Sequence, residues 1–344
     1  MLSSAVKRVY WILMISCVFI GTGCARAPEP PQPPVFQYTS EEALAAISKA
    51  EKDLSVLKSL AAPQKYPQEF ANAENALAQA KTFINTTPQE IDRAYASAQQ
   101  SLSETQAILR KLYEEMAESR EVIKREIKEI AEEDPDSIDQ HIIVQLDGLL
   151  ADYDAEQEIN AEQLVRDIEQ LKQIEYNAKK NLGKTFESDV SFGAGEYELS
   201  DKGKEAIQEY YQDVLTAKQQ FRALFPNDSL KVTVKVIGYA DQVGILTSTK
   251  LYKQLIEGAE NLPGDADERK IFLNQRLSEL RAKAIADYVK ELILQDCSTE
   301  EQLVVEQVIE GAGEKLPPNL ESPYPYQDPR RRICRIFCWL STQE

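Results

Sequence analysis

Histidine and cysteine are scarce in this sequence, no pairing of a nucleophile with a base is visible, and the charged residues that stand out favour binding over catalysis. The 344 residues contain one histidine, His141, and five cysteines, which excludes His-rich metal sites and most catalytic triads. Asp241 follows a predicted strand, and Asn274 and Arg281 lie two turns apart on one face of a predicted helix. Taken singly, Asp241 could cap a turn and Arg281 could form a surface ion pair. We therefore expect a non-enzymatic protein that needs no metal and no cofactor.

The charge balance of the chain argues against nucleic acid as a partner. Its 57 Asp+Glu against 39 Lys+Arg give a formal net charge of -18, whereas phosphate backbones bind to basic surfaces. With 43% apolar residues the chain can bury a substantial core, and its length suggests two or three folded units.

The N-terminal residues are typical of an export signal. Two basic residues precede the apolar run 9–20, which would span about 18 Å as a helix, well short of the ~30 Å hydrocarbon core of a bilayer. We therefore predict a signal peptide at residues 1–23 rather than a membrane span. The small residues before Cys24 resemble the lipobox of bacterial lipoproteins, which implies acylation of Cys24. Cys17 is a rival site, and an incidental Cys24 after an ordinary signal is the plain alternative.

Residues 24–38 are predicted to form a spacer. The five prolines in this stretch favour an extended polyproline II conformation. A spacer beside a lipid anchor would hold the folded part away from the membrane. Ala25 follows the cysteine where inner-membrane lipoproteins carry a retaining aspartate, so we predict an outer membrane lipoprotein that faces the periplasm of a diderm bacterium.

Residues 39–183 are predicted to form an all-α bundle or coiled coil. Apolar residues recur there at three- and four-residue steps, and the many alanines among them allow close helix packing. Thr39 and Glu42 have capping-box spacing, which predicts the start of the first helix. Ala62-Pro63 and Asp134-Pro135 predict helix ends, because the residue before a proline avoids the helical region.

Two further features of this helical region bear on function. His141 adjoins an apolar run and is expected to be a partly buried structural residue. The stretch 44–112 resembles an uncharacterised helical family of bacterial lipoproteins, a resemblance that implies no activity. Envelope protein partners would bind through this region.

Residues 184–344 change to alternating strands and helices, which predicts an α+β fold for the chain as a whole. The segment 231–236 alternates strictly between apolar and polar residues, as a strand with one buried face does. The other predicted elements are a strand ending at Val190–Phe192, helices at Asp201–Phe225 and Asn274–Leu294, and strands at Leu303–Ile309 and Ile333–Leu340. This β-α-β-α-β-β order predicts a two-layer sandwich of helices over a small mixed sheet.

Four stretches of this half, in order, resemble the OmpA-like C-terminal peptidoglycan-binding domain family. They are Asp189–Phe192 with Glu198–Gly203, then Val236–Gly244, then Asn274–Ala282, and finally Gly311–Glu314 with Arg331–Ile333. The third stretch has the family's Asn-x-x-Leu-Ser-x-x-Arg-Ala pattern at every named position. The resemblance covers residues 184–344 and implies the family's fold and ligand there.

By this resemblance the ligand is the peptidoglycan stem peptide, in particular diaminopimelate, whose free end carries an ammonium and a carboxylate. Asp241 would accept the ammonium, and Arg281 would bind the carboxylate in a bidentate, charge-assisted pair. Asn274 would add amide hydrogen bonds, and Arg331 would support the rim of the site.

The sequence departs from the family pattern in three places. Ala240 replaces the threonine before the aspartate, and Arg330 replaces the asparagine before the paired arginines. Residues 245–273 form an insertion beside the expected site. This insertion could be a lid, a partner-binding helix or a block on the site.

Three cysteines follow Cys24 in the chain. Cys334 and Cys338 are four residues apart on a predicted strand, about 13 Å, so they cannot form a disulfide with each other. Cys297 could pair with one of them, and buried reduced thiols are the alternative.

The predicted function is that of a non-enzymatic cell-envelope lipoprotein that tethers a membrane to the peptidoglycan wall. Its acyl chains would insert into the bilayer, and its C-terminal domain would bind the stem peptide. The alternative is an envelope scaffold whose degenerate OmpA-like domain binds proteins and no longer binds peptidoglycan. A flagellar stator-like protein fits less well, because the N-terminal apolar run is short and contains no acidic residue.

Overall fold

The structure, a computed structural model, describes residues 37–86, 90–138, 140–149, 158–193, 196–226, 228–259, 261–297, 302–318, 325 and 327–343. The signal peptide 1–23, both candidate acylation sites Cys17 and Cys24, and most of the spacer 24–38 lie outside these residues and stay predictions. None of the described helices combines the length and the hydropathy that a membrane-spanning segment needs.

The first half of the described chain is helical. Its helices are α1 (Ser40–Ser59), α2 (Ala62–Lys65), α3 (Pro67–Thr86), α4 (Ile91–Glu133), α5 (Gln140–Gly148) and α6 (Ala161–Lys180). Their apolar faces meet in one core, where alanines such as Ala50, Ala73 and Ala98 are fully buried between helices. These small side chains let α1, α3 and α4 pack closely, as the composition predicted.

Local sequence signals set the ends of these helices. The Thr39 hydroxyl accepts a hydrogen bond from the Glu42 backbone N–H, and the Glu42 carboxylate accepts one from the Thr39 backbone N–H, which confirms the capping box. Ala61 adopts a left-handed conformation with φ 56°, and Pro63 then lies in the first turn of α2. The helix α4 ends at Glu133, directly before Asp134-Pro135.

The second half is a sheet with helices on one face. The strands are β1 (Leu182–Glu187), β2 (Leu230–Tyr239), β3 (Leu303–Gly313) and β4 (Ile333–Thr342), in the spatial order β1-β4-β2-β3. Strand β2 runs parallel to β3 and antiparallel to β4. The helices are α7 (Ser188–Ser191), α8 (Asp201–Leu224), α9 (Lys250–Ile256) and α10 (Ala266–Gln295). The α+β class and the mixed two-layer sandwich are confirmed.

The structure corrects the predicted position of the first strand. Strand β1 begins at Leu182, two residues before the predicted start of this half, and ends at Glu187. The segment Val190–Phe192 is not the end of a strand, because residues 188–191 form a helical turn and Phe192 makes a single bridge to Leu199. Only Phe186 is buried in β1, so this strand lacks the alternation that would reveal it.

The insertion 245–273 is partly helical and extends the fold. Helix α10 begins at Ala266 rather than at Asn274, because the Asp265 carboxylate accepts hydrogen bonds from the N–H groups of Asp267 and Glu268. Helix α9 packs its apolar residues onto the added turns of α10. The residues of this small cluster that are most buried are Leu251, Leu255, Leu273 and Leu277.

The helical half covers the face of the sheet opposite to α8 and α10. Arg335 on β4 forms ion pairs with Asp134 and Asp136, which follow α4. Asn177 on α6 exchanges hydrogen bonds with the backbone N–H and C=O of Leu340, at 2.8 and 2.7 Å. Polar contacts therefore join the two halves across the sheet.

Candidate functional site

The predicted carboxylate lies in the loop that follows β2. Asp241 comes two residues after the strand and is buried, with 7% of its surface exposed. Its Oδ1 accepts a hydrogen bond of 3.1 Å from the Val243 backbone N–H, which orients the carboxylate within its own loop.

Asn274 on α10 holds this loop in place. Its Nδ2 lies 3.1 Å from the Asp241 carbonyl oxygen, 3.2 Å from the Val243 carbonyl oxygen and 2.8 Å from Oε1 of Glu314. The amide hydrogens therefore point to protein acceptors. In this structure Asn274 positions the Asp241 loop, and its predicted bonds to a ligand remain a prediction.

Two glycines let α10 approach the strand ends this closely. Gly238 on β2 and Gly311 on β3 are register partners, and the backbone of α10 lies directly over both. A Cβ at Gly238 would lie less than 3.0 Å from the carbonyl oxygen of Ser278, and one at Gly311 would lie 2.8 Å from that of Gln275. Larger residues would lift α10, and Asn274 with it, away from Asp241.

Arg281, one turn beyond Ser278 on α10, is a buried guanidinium. Only 6% of its surface is exposed, and it lies over the Phe192 ring at 5.3 Å. Its Nε donates a 3.1 Å hydrogen bond to the Glu196 carbonyl oxygen. Within the described residues, no carboxylate lies at ion-pair distance from it, and none accepts a hydrogen bond from its terminal nitrogens.

The charges around Arg281 are close enough to influence it. Burial lowers the pKa of the Arg281 guanidinium, and the negative charges of Asp189 and Asp241 act in the opposite direction. The charge of Asp241, which the family resemblance paired with Arg281, thus acts on the Arg281 guanidinium. Neither of the two is the other's ion-pair partner.

Arg332 is a site residue that the sequence reasoning missed. Its Nη2 donates a 2.7 Å hydrogen bond to Oδ2 of Asp189, and its Nε lies 3.7 Å from Oδ2 of Asp241. That Nε is buried and has no hydrogen-bond partner among the described residues. Asp189 and Arg332 both lie in stretches that carry the family resemblance, which was the available signal.

Arg331, the predicted rim residue, points elsewhere. It is buried, and its Nη2 donates a 2.7 Å hydrogen bond to the backbone carbonyl of Glu314. Because the Glu314 carboxylate binds Asn274, Arg331 supports the loop beyond β3 that borders the site. It makes no described contact with Asp241 or Arg281.

The site is therefore suited to binding a polar ligand. It contains two carboxylates and two guanidiniums, and its nearest thiol, Cys334, is buried with its pKa raised by burial to about 12, which disfavours the reactive thiolate. Cys334 and Cys338 are free thiols, so the reduced alternative holds for both. The described residues contain no group of three or more His, Cys, Asp or Glu that could hold a metal ion.

Comparisons with known proteins give limited matches. No family model and no curated protein sequence matches the chain. Among solved structures, it is similar to a MotB-like protein from Desulfovibrio vulgaris, with 16% identity, a TM-score of 0.24 and coverage of 46% of this chain and 72% of that one. It is also similar to the OmpA-like domain of FopA1 from Francisella tularensis, with 22% identity, a TM-score of 0.20 and coverage of 44% and 70%.

The sheet order β1-β4-β2-β3 and the charged site at the end of β2 are observed in this chain itself.

Proposed function

We propose that this chain is a non-enzymatic lipoprotein that tethers the outer membrane to peptidoglycan from the periplasmic side. Asp241 and Arg281 would bind the zwitterionic free end of a diaminopimelate-type stem peptide. Acyl chains on Cys24 would anchor the other end, and residues 24–38 would span the distance between membrane and folded part.

Arg281 is buried and has no carboxylate at ion-pair distance among the residues that the structure describes, and this observation supports the proposal most strongly. A buried charge is costly unless it is paired, and proteins rarely keep one in that state without a use for it. The carboxylate of a ligand would supply the missing partner through a bidentate pair with the terminal nitrogens. The neighbouring Asp241 carboxylate would then receive the ligand's ammonium.

We expect Arg281→Ala and Asp241→Ala each to weaken binding to purified sacculi by about tenfold or more, because each removes one of two charge-assisted contacts. The measurement is co-sedimentation of the chain without residues 1–23, carrying Cys24→Ser to prevent acylation. A fragment starting at 184 is unsuitable, since it would cut β1.

Lys283→Gln is the matched control for these variants. It removes a positive charge from the same helix two residues away, but Lys283 is exposed and pairs with Asp287. Circular dichroism should show all variants folded. Wild-type protein that stays in the supernatant would overturn the site assignment and make the protein-binding scaffold the leading explanation.

The proposed acylation of Cys24 leads to a separate prediction. In cells grown with a radiolabelled or clickable palmitate, the wild-type chain should incorporate label and Cys24→Ser should not, because that thiol is the predicted attachment point. Cys17→Ser tests the rival site in the same way. Label that persists in Cys24→Ser and disappears in Cys17→Ser would move the anchor to residue 17.

A further inference from the structure

The charges at the site cancel. Asp189 and Asp241 contribute two negative charges, and Arg281 and Arg332 contribute two positive ones. Arg332 links the two carboxylates, through a 2.7 Å hydrogen bond to Asp189 and a 3.7 Å approach to Asp241. Arg331 donates a hydrogen bond to the backbone carbonyl of Glu314. The side chains of these two residues have opposite charges and add nothing to the net charge.

We propose that Arg332 is a specificity-determining residue, which sets the net charge of the site to zero and so selects a zwitterionic ligand end over a simple amine. This inference rests on the proposed function and assigns a cause to its ligand preference. Arg332 acts on the ligand through Asp241, whose charge it partly neutralises.

The physical reason is the cost of an uncompensated charge in a poorly solvated place. A ligand end with both an ammonium and a carboxylate leaves the site neutral, since its carboxylate pairs with Arg281 and its ammonium with Asp241. A ligand with an ammonium alone would leave one positive charge in excess, with Arg281 still unpaired. Without Arg332 the site would be negative by one charge, and a lone ammonium would then balance it.

A purely structural role for Arg332 makes a different prediction. In that case the guanidinium would serve to hold the turn α7, through Asp189, against the end of β2. Loss of the guanidinium would then loosen the site and lower the affinity for every ligand by a similar factor. The two roles are therefore separated by relative affinities, not by absolute ones.

The experiment is calorimetric titration of the chain without residues 1–23 and with Cys24→Ser. Two tripeptides serve as probes, L-Ala-γ-D-Glu-meso-diaminopimelate and L-Ala-γ-D-Glu-L-Lys, which differ only in the carboxylate at the side-chain end. We expect the wild type to prefer the diaminopimelate peptide by about tenfold or more, the size of one lost charge-assisted contact. Arg332→Gln should reduce this preference by about tenfold, mainly through tighter binding of the lysine peptide.

Two further variants test whether the preference for the diaminopimelate peptide follows the net charge of the site. Arg332→Lys keeps the charge and should keep most of this preference. Asp189→Asn makes the site positive and should increase the preference. If Arg332→Gln lowers the affinity for both peptides by the same factor, the role of Arg332 is structural and the proposal is wrong. If the wild type binds neither peptide, the proposed function itself fails, and this inference with it.

Discussion

Replacing Gly238 with alanine is expected to lower the free energy of unfolding by about 3 kcal/mol or more. The added methyl group would lie less than 3.0 Å from the carbonyl oxygen of Ser278 in α10. That oxygen belongs to the backbone of a 30-residue helix, so it cannot move aside as the tip of a flexible side chain would. The helix must lift from the sheet, or the strand must bend.

The same substitution should also abolish binding at the site, because lifting α10 separates Asn274 from the Asp241 loop. Gly244→Ala is the matched control, since the nearest atoms to a Cβ there are side-chain carbons of Lys270 at 3.9 and 4.0 Å. Urea unfolding followed by circular dichroism measures both variants. Equal stability of the two would show that the close contact of α10 with β2 is not maintained in solution.

Helices and strands whose apolar residues recur at regular intervals are predictable from this sequence alone. Strand β2 alternates because one face meets α8 and α10, and the helices of the first half have apolar residues only on the side that faces their common core. The residues Asn274 and Arg281 share a helix face for the same geometric reason. Local periodicity thus accounts for the fold class and for the shared helix face of Asn274 and Arg281, whereas their proposed binding roles came from the family resemblance.

Contacts between segments that are far apart in the sequence produce no periodic pattern of residues. Arg332 and Asp189 are 143 positions apart, and Arg335 and Asp134 are 201 apart, so neither pair could be identified by spacing. Strand β1 is missed for a related reason, since its residues are mostly exposed and its order is set by pairing with β4. The predicted role of Arg331 likewise depended on which of two adjacent arginines turns toward Asp241.

We expect Arg335→Gln to lower the free energy of unfolding by about 2–3 kcal/mol, because it leaves two carboxylates at the junction of the halves without their cation. Arg335 Nη1 donates to Oδ2 of Asp136 at 2.7 Å, and its Nη2 forms the ion pair with Asp134. The Tyr239 hydroxyl donates to the same Asp136 carboxylate, and burial together with that hydrogen bond raises the pKa of Tyr239.

The fluorescence of Trp339 offers a local measurement of this effect, since it is the sole tryptophan once residues 1–23 are absent and it lies on the covered face beside Phe337. Lys179→Gln, which removes an exposed pair with Glu175, is the control and should leave the stability almost unchanged. Adding Asp134→Asn and Asp136→Asn to Arg335→Gln should restore part of the loss, because a neutral junction costs less than one with unpaired carboxylates. If the triple variant is less stable than Arg335→Gln alone, unpaired charge is not the cause, and the junction depends on hydrogen bonds that only the carboxylates provide.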